Sequence, residues 1–336
     1  MVETSILVIK LGALGDFVQA LGPLAAIRSH HAQARIVLLT TAPFVAFARA
    51  SPYVDEVWVD ERPRLHDVRG WLSLRGRLRG GRFARVYDLQ TSDRSSAYFR
   101  LFWPGPYPEW SGIARGCSHP HANPKRDFMH NVDSRAEQLR MAGIARCPPP
   151  DLSWAQAEAA RLGVGSRYAI LVPGGAPHRP AKRWPAERYA ALAIHLAAHR
   201  IRPVLIGAAA EETLHQGIRT RCPEAVGLAG KTTLLELAVL ARGALVAVGN
   251  DTGPMHLAAA AGCPSVVLYS RESDPALCGQ RGESVRYIRQ PSLSDVGVDD
   301  VVDVVTDRIA RHMEDAGPDP SGDSKDRGPG GFEQPA

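Results

Sequence analysis

Val246-Ala-Val-Gly-Asn-Asp251-Thr-Gly-Pro-Met-His256-Leu-Ala-Ala-Ala-Ala-Gly262 is the stretch on which the reading of the fold turns. An apolar run ends in a tight polar turn. Pro254 then opens an Ala-rich helix at the position where its missing N–H costs nothing. Such a helix start carries unpaired N–H groups and about half a positive charge. Gly253 lets a ligand approach the backbone, Thr252 adds a hydroxyl, and His256 lies in the first turn. A strand end that feeds a helix N-terminus is an anion site suited to phosphate. Simple helix capping by Asp251 and Thr252 accounts for one polar residue but not for the whole run with His256.

Working outward, the same strand–turn–helix grammar recurs along the chain. Strands are predicted at Ile6–Ile9, Arg35–Thr40, Glu56–Val59 and Ala84–Leu89, then at Tyr168–Val172, Arg202–Ile206, Ala244–Val248 and Ser265–Tyr269. Helices are predicted near 16–29, 43–50, 66–79, 93–102, 185–199, 210–221, 232–242, 254–261 and 298–313. Continuous apolar strands alternating with helices predict parallel sheets covered on both faces. Two such blocks predict an α/β protein of two doubly wound domains, 1–150 and 151–315, divided near Cys147-Pro-Pro-Pro150. The Gly-, Pro- and charge-rich tail 316–336 has little to bury and is expected to be disordered. The two halves show no sequence repeat.

Composition narrows the function. With 336 residues, 45% hydrophobic and 22% charged, the chain is expected to be globular. No apolar run reaches the ~18 residues of a membrane span, and the opening strand is not a signal peptide. Five scattered cysteines, never spaced C-x-x-C, predict a reducing cytoplasm rather than disulfides or structural zinc. The net charge is +5, and only five of the 40 basic residues are Lys. Residues 62–100 hold ten Arg against three Asp. That stretch reads equally as a solvated helix face or as a surface for an anionic lipid or substrate. No nucleic-acid motif accompanies it.

Two further segments carry chemistry. In Ile170-Leu-Val-Pro-Gly174-Gly175-Ala-Pro-His-Arg-Pro-Ala-Lys182-Arg-Trp184-Pro185 a strand ends in a Gly-rich turn, and Lys182 supplies the mobile positive charge a diphosphate needs. In Ile6-Leu-Val-Ile-Lys10-Leu-Gly12-Ala-Leu-Gly15-Asp16 the turn lacks the third Gly of a dinucleotide fingerprint. Asp16 would repel a pyrophosphate there and suits proton acceptance from a hydroxyl. Spacing alone favours the plainer reading of a first-turn helix acid. Gly230-Lys231-Thr232 is not a P-loop, since Ala225 stands where that motif needs Gly; Thr233 and Glu236 form a capping box instead. His119, His121 and His130 near Cys117 lack ligand spacing and are read as structural. Asp-x-Asp is absent, so a diphosphate would be held by Lys182, a helix mouth and backbone N–H groups, and no metal or other cofactor is expected.

Together these segments resemble glycosyltransferase family 9, the ADP-heptose:lipopolysaccharide heptosyltransferases, over roughly residues 5–313. The resemblance rests on Lys10…Gly15-Asp16, Pro173-Gly174…Lys182-Arg-Trp-Pro185, Gly230-Lys-Thr-Thr-Leu-Leu-Glu236 and Asp251-Thr-Gly-Pro-Met-His256-Leu-Ala. It implies a GT-B fold, two Rossmann-like domains facing across a cleft, with the acceptor on the first and an ADP-sugar donor on the second. It implies Asp16 as general base with Lys10 beside it. Gly174, Gly175, Lys182, Asp251, Thr252, Gly253 and His256 would line the donor diphosphate and sugar, and Thr232 and Glu211 the adenosine. Inverting transfer of a heptose or related sugar to an anionic lipopolysaccharide-core glycolipid would follow, by a cytoplasmic protein in peripheral contact with the inner membrane. The chain departs from the family pattern at Ser270-Arg-Glu-Ser-Asp274-Pro275. Two alternatives stay open: an NAD-dependent oxidoreductase of paired Rossmann domains, and a non-catalytic nucleotide-sugar-binding protein of envelope assembly.

Overall fold

A computed structural model describes residues 4–315; the expected tail, 316–336, lies outside them. The first sheet is built from β1 (Ser5–Ile9), β2 (Arg35–Thr40), β3 (Glu56–Val59), β4 (Arg85–Asp88), β5 (Glu109–Gly112) and β6 (His119–Pro120). The second is built from β7 (Tyr168–Val172), β8 (Arg202–Leu205), β9 (Val226–Gly227), β10 (Ala247–Asn250), β11 (Ser265–Tyr269) and β12 (Val285–Arg289). All pairings are parallel. The orders are β3-β2-β1-β4-β5-β6 and β12-β11-β10-β7-β8-β9. Counted within each half, both sheets have the order 3-2-1-4-5-6 of a doubly wound dinucleotide fold. The α/β class and the pair of Rossmann-like units therefore hold.

Side-chain alternation explains why the central strands read as unbroken apolar runs. Leu7 and Ile9 point into one core with Leu74, Leu78 and Trp110, while Ile6 and Val8 point into another with Phe17 and Leu24. In the second sheet Ala169 and Leu171 face the helices Ala186–Ala198 and Val298–Asp315, and Tyr168, Ile170 and Val172 face the opposite side. Both faces are dry, as parallel sheets require. One core is continuous from the first sheet into the second and includes Phe17 and Met255.

Several local expectations need correction. The helix expected near 16–29 is two helices, Leu14–Gln19 and Leu21–His30, meeting at Ala20. The strand expected at Ala244–Val248 runs over Ala247–Asn250, because pairing with β11 and β7 begins only at Ala247. Strands β5, β6, β9 and β12 were not expected. β6 and β9 are two residues each, and β12 is an edge strand, Val-Arg-Tyr-Ile-Arg, with three of five residues exposed. The helix Asn131–Met141 was also missed; its apolar content is low and its buried residues include Arg135 and Gln138.

Candidate active site

In each sheet the strand order reverses between the first and fourth strands, β1/β4 and β7/β10. Ligands of open α/β sheets bind outside the strand ends at such points. The turn after β1 begins at Lys10 and leads into the helix whose first turn bears Asp16, and β4 ends at Asp88. The turn after β7 carries Gly174 and Gly175, and the turn after β10 carries Asp251 and Thr252. The sequence motifs thus occupy both switch points.

The two halves meet where these turns become helices. The helix Leu14–Gln19 packs on the helix Gly253–Ala260. A Cβ on Gly253 would stand 2.7 Å from Leu14 Cβ, and one on Gly15 would stand 2.6 Å from His256 Cδ2. Glycine on each side therefore lets the two helix starts touch. Around them, His130 Nε2 lies 3.0 Å from Gly279 O, and Arg281 forms a two-pronged pair with Asp133 at 2.7 and 2.5 Å.

A cleft of about 710 Å³ opens beside this contact. Gly174, Gly175, Glu211, Thr232, Asp251, Thr252 and Gly253 line it, with Leu14 from the other half. Lys182 is not in its lining but reaches Asp251, with Nζ 2.8 Å from Oδ2. Asp251 Oδ1 also lies 3.1 Å from the Tyr269 hydroxyl and accepts from Gln280 Nε2 at 3.2 Å. Burial pushes the Asp251 carboxyl up, but the Lys182 hydrogen bond and charge outweigh it and hold the group below the usual range. Neither Asp251 nor Thr252 caps the helix through its side chain: the Thr252 hydroxyl donates back to Asn250 O at 3.2 Å. The capping explanation of that motif does not describe what these side chains do.

Glu211 is placed at the cleft, but its carboxylate is occupied. Oε1 accepts from Gly175 N and Oε2 from Ala208 N, both at 2.8 Å. It ties the Gly-rich turn to the turn after β8. A Cβ at Gly174 would lie 1.8 Å from Glu211 Oε1, so Gly is needed there for close approach. His256 is almost fully buried one turn inside the helix, and burial brings its ring down to about 4, leaving it neutral near pH 7. It does not line the cleft.

Across the gap, Asp16 is partly exposed, and its Oδ1 accepts from Arg135 Nη2 and Asn131 Nδ2, each at 3.4 Å. Lys10 is buried at 1% exposure. Burial and the Arg135 charge bring its ammonium down to about 7 against the opposing pull of Asp16 and Asp88. Asp88, also fully buried, is raised by burial to about 6; its Oδ1 accepts from Gln90 N and Thr91 N, while Oδ2 has no partner. Lys10, Asp16, Asp88 and Arg135 form one coupled cluster at the first switch point.

Sequence reasoning missed Arg135, Asn131, Asp88, Tyr269, Gln280 and Arg183. Arg183 adjoins Lys182; its Nη2 donates to Gly175 O at 2.6 Å, and its buried Nε has no protein partner beside the cleft. Its place in the Lys-Arg-Trp-Pro run was the only available signal. The capping box is formed: Thr233 N donates to Glu236 Oε2 at 2.8 Å and Glu236 N to Thr233 Oγ1 at 3.2 Å. His121 pairs with Glu137 at 2.9 Å, and among the described residues no group of three or more His, Cys, Asp or Glu is placed to hold a metal.

A model of glycosyltransferase family 9 (heptosyltransferase) matches residues 71–294, about two thirds of the chain. Lipooligosaccharide heptosyltransferase 2 of Haemophilus influenzae is 40% identical over 115 residues, 33% of each chain. The chain thus spans about a third of the length of the first curated relatives it matches. The solved ADP-heptose lps heptosyltransferase II of E. coli superposes with a TM-score of 0.75 at 24% identity, over 92% of this chain and 99% of that one. A glycosyl transferase family 9 structure from Veillonella parvula superposes with a TM-score of 0.80 at 20% identity, over 92% and 97%. These structural likenesses establish the GT-B fold.

Proposed function

The chain belongs to glycosyltransferase family 9, and we propose that it transfers a heptose or related sugar from an ADP-sugar to a lipopolysaccharide-core glycolipid, with inversion. The observation that carries this reading is the Lys182–Asp251 pair beside a 710 Å³ cleft, abutted by the helix that bears Asp16. Two of the named relatives are heptosyltransferases, one of them an ADP-heptose lps heptosyltransferase.

In this reading the second half, 151–315, holds the donor and the first, 1–150, the acceptor. Lys182, Arg183 and the helix mouth at Thr252–Gly253 receive the diphosphate, and Thr232 lies toward the nucleoside. Asp16 takes the proton of the acceptor hydroxyl. That oxygen attacks the anomeric carbon as the bond to the diphosphate breaks, and ADP departs with the electron pair. Fixed positive groups facing the leaving diphosphate are stronger there than in water. Lys10, buried nearby, is itself acted on by the Asp16 charge, and we read it as supporting Asp16 rather than as touching the substrate. Asp251 is already engaged by Lys182, Tyr269 and Gln280, so we read it as an orienter of Lys182 rather than a metal ligand. The reaction is proposed to need no metal, in the cytoplasm at the inner membrane. No described helix is long and apolar enough to cross a membrane.

A melting-temperature panel of ADP-, UDP-, GDP- and CMP-sugars tests the donor, since a ligand selective for the native state raises the midpoint. ADP-sugars are expected to stabilise, and mass spectrometry is expected to show one sugar added to a core acceptor, unaffected by EDTA. Stabilisation by NADH with none by ADP-sugars would return the protein to the oxidoreductase reading.

A further inference from the structure

The Arg-rich stretch 62–100 is only partly a solvated face. Arg75 donates to Leu101 O at 3.2 Å and Trp103 O at 2.7 Å, and Arg79 to Phe102 O at 2.8 Å and Gly105 O at 2.9 Å. Arg77 lies 4.5 Å from the Trp58 ring centroid, and Arg94 donates to Pro63 O at 3.2 Å. These partners are carbonyls and rings. Of the ten arginines only Arg85 is ion-paired among the described residues, to Glu109. Arg75, Arg77, Arg79 and Arg94 are thus anchored without an ion-pair partner, and Arg62, Arg64 and Arg69 are exposed.

The same region presents apolar side chains to solvent. Leu65 is 92% exposed, Val68 66%, Leu72 58% and Trp103 68%. Val68 and Leu72 share one face of the helix Val68–Gly80 with Arg75 and Arg79, at spacings of three and four. Leu65 immediately precedes it, and Arg75 leads to Trp103. The inner face is a different one, carrying Leu74 and Leu78.

Leu65 is not exposed through slackness. Its loop is pinned by Tyr98 OH to Asp60 at 2.6 Å, Arg94 to Pro63 O, Trp71 Nε1 to Arg64 O at 3.0 Å, and Gly70 N to Asp67 at 2.9 Å. A built loop that holds a leucine out into water, amid unneutralised arginines, fits a layered partner that is anionic outside and apolar within. Among the exposed charges along this edge Arg62, Arg64 and Arg69 exceed Glu61 and Asp67 by one, since Asp60 is buried against the Tyr98 hydroxyl. Position adds to the fit. This loop follows the C-terminal end of β3, and the Asp16 turn follows the C-terminal end of β1, so both lie on the same edge of one parallel sheet.

We propose that Leu65, Val68, Leu72 and Trp103, flanked by Arg62, Arg64 and Arg69, dock this edge onto an anionic phospholipid bilayer, the apolar side chains entering the headgroup layer. Docking there sets the Asp16 edge against the membrane plane, where a lipid-anchored hydroxyl acceptor resides. This orientation rests on the transferase reading; the bilayer contact does not. Interfacial binding of this kind needs apolar area and electrostatic attraction together.

The test is co-sedimentation of the full chain with phosphatidylcholine vesicles, with and without 30% phosphatidylglycerol, for wild type, Leu65→Ser/Leu72→Ser and Arg64→Glu/Arg69→Glu. Binding is expected only with the anionic lipid, to fall on adding salt, and to drop at least ~10-fold in each double variant. Both variants are expected to keep the wild-type melting midpoint and the wild-type turnover of a water-soluble acceptor. Wild-type vesicle affinity in the leucine variant would overturn the proposal, as would a concentration-dependent dimer in sedimentation velocity that this variant abolishes. Intact vesicle binding with no sugar transfer would instead remove the transferase reading and leave the docking face standing.

Discussion

Gly15 faces the imidazole of His256 so closely that a Cβ in its place would stand 2.6 Å from Cδ2 and 3.1 Å from Nε2. The two residues are far apart in the chain, on helices that follow strands of different sheets. Their contact brings the helix bearing Asp16 against the helix that follows Asp251. A clash here moves Asp16 relative to the cleft lined by Asp251 and Thr252.

Gly15→Ala is expected to destabilise the protein by about 1–3 kcal/mol, the usual cost of overpacking a filled site, and to lower kcat. In Gly15→Ala/His256→Ala the ring is gone, and most of that stability should return. A double-mutant cycle on urea midpoints reads this directly. Additive losses would mean that the close approach is not what Gly15 provides.

Asp16→Asn keeps the shape of the side chain and removes the proton acceptor. We expect kcat to fall by roughly 10²–10⁴, with donor affinity by calorimetry almost unchanged. Turnover at the wild-type rate would take Asp16 out of the base role.

Lys182→Ala leaves the buried Asp251 carboxylate without its cation. A loss of ~3 kcal/mol in stability is expected, together with weaker ADP binding. The pH dependence has a definite sign. Asp251 is held below the usual carboxylate range in the folded protein, so its contribution is present above the unfolded value and is lost as pH falls through the folded one. Wild type should therefore lose stability on acidification below about pH 4, and Lys182→Ala should lose less over the same interval. Parallel acid profiles would show that the pair does not set the Asp251 equilibrium.

Lys10 gives a slope of the same sign at alkaline pH. Its ammonium is brought from 10.5 down to about 7 in the folded chain, so between those values the unfolded state binds the extra proton and stability rises with pH. Asp88, raised from 3.8 to about 6, makes stability fall as pH climbs through that lower window. Urea midpoints for wild type should climb between pH 7.5 and 10 relative to Lys10→Met. Superimposable profiles would place Lys10 in a solvated environment.

Eight of the twelve described strands, β1–β4, β7, β8, β10 and β11, and nearly all the helices were legible because the apolar residues a strand buries leave a local record. Ile6–Ile9 must be apolar throughout when alternate residues enter two cores. The glycine turns after β1 and β7 and the Pro254 helix start were legible for the same reason, since a turn or a helix mouth is specified by neighbours in the chain. β12 was not legible, because an edge strand need bury little and its arginines carry no periodic apolar signal.

The sequence by itself determined two doubly wound units, the three strand-end turns after β1, β7 and β10 that hold candidate site residues, and an excess of arginine over 62–100. Only the tertiary structure decided which polar groups meet. Lys182 finds Asp251 across 69 positions, Arg135 finds Asp16 across 119, and Glu211 spends its carboxylate on Gly175 N. It also decided that Leu65 faces water while Leu74 does not. The reason is one of range: backbone propensity and side-chain period act over a few residues, whereas strand order and the packing of one half on the other set which distant side chains share a site.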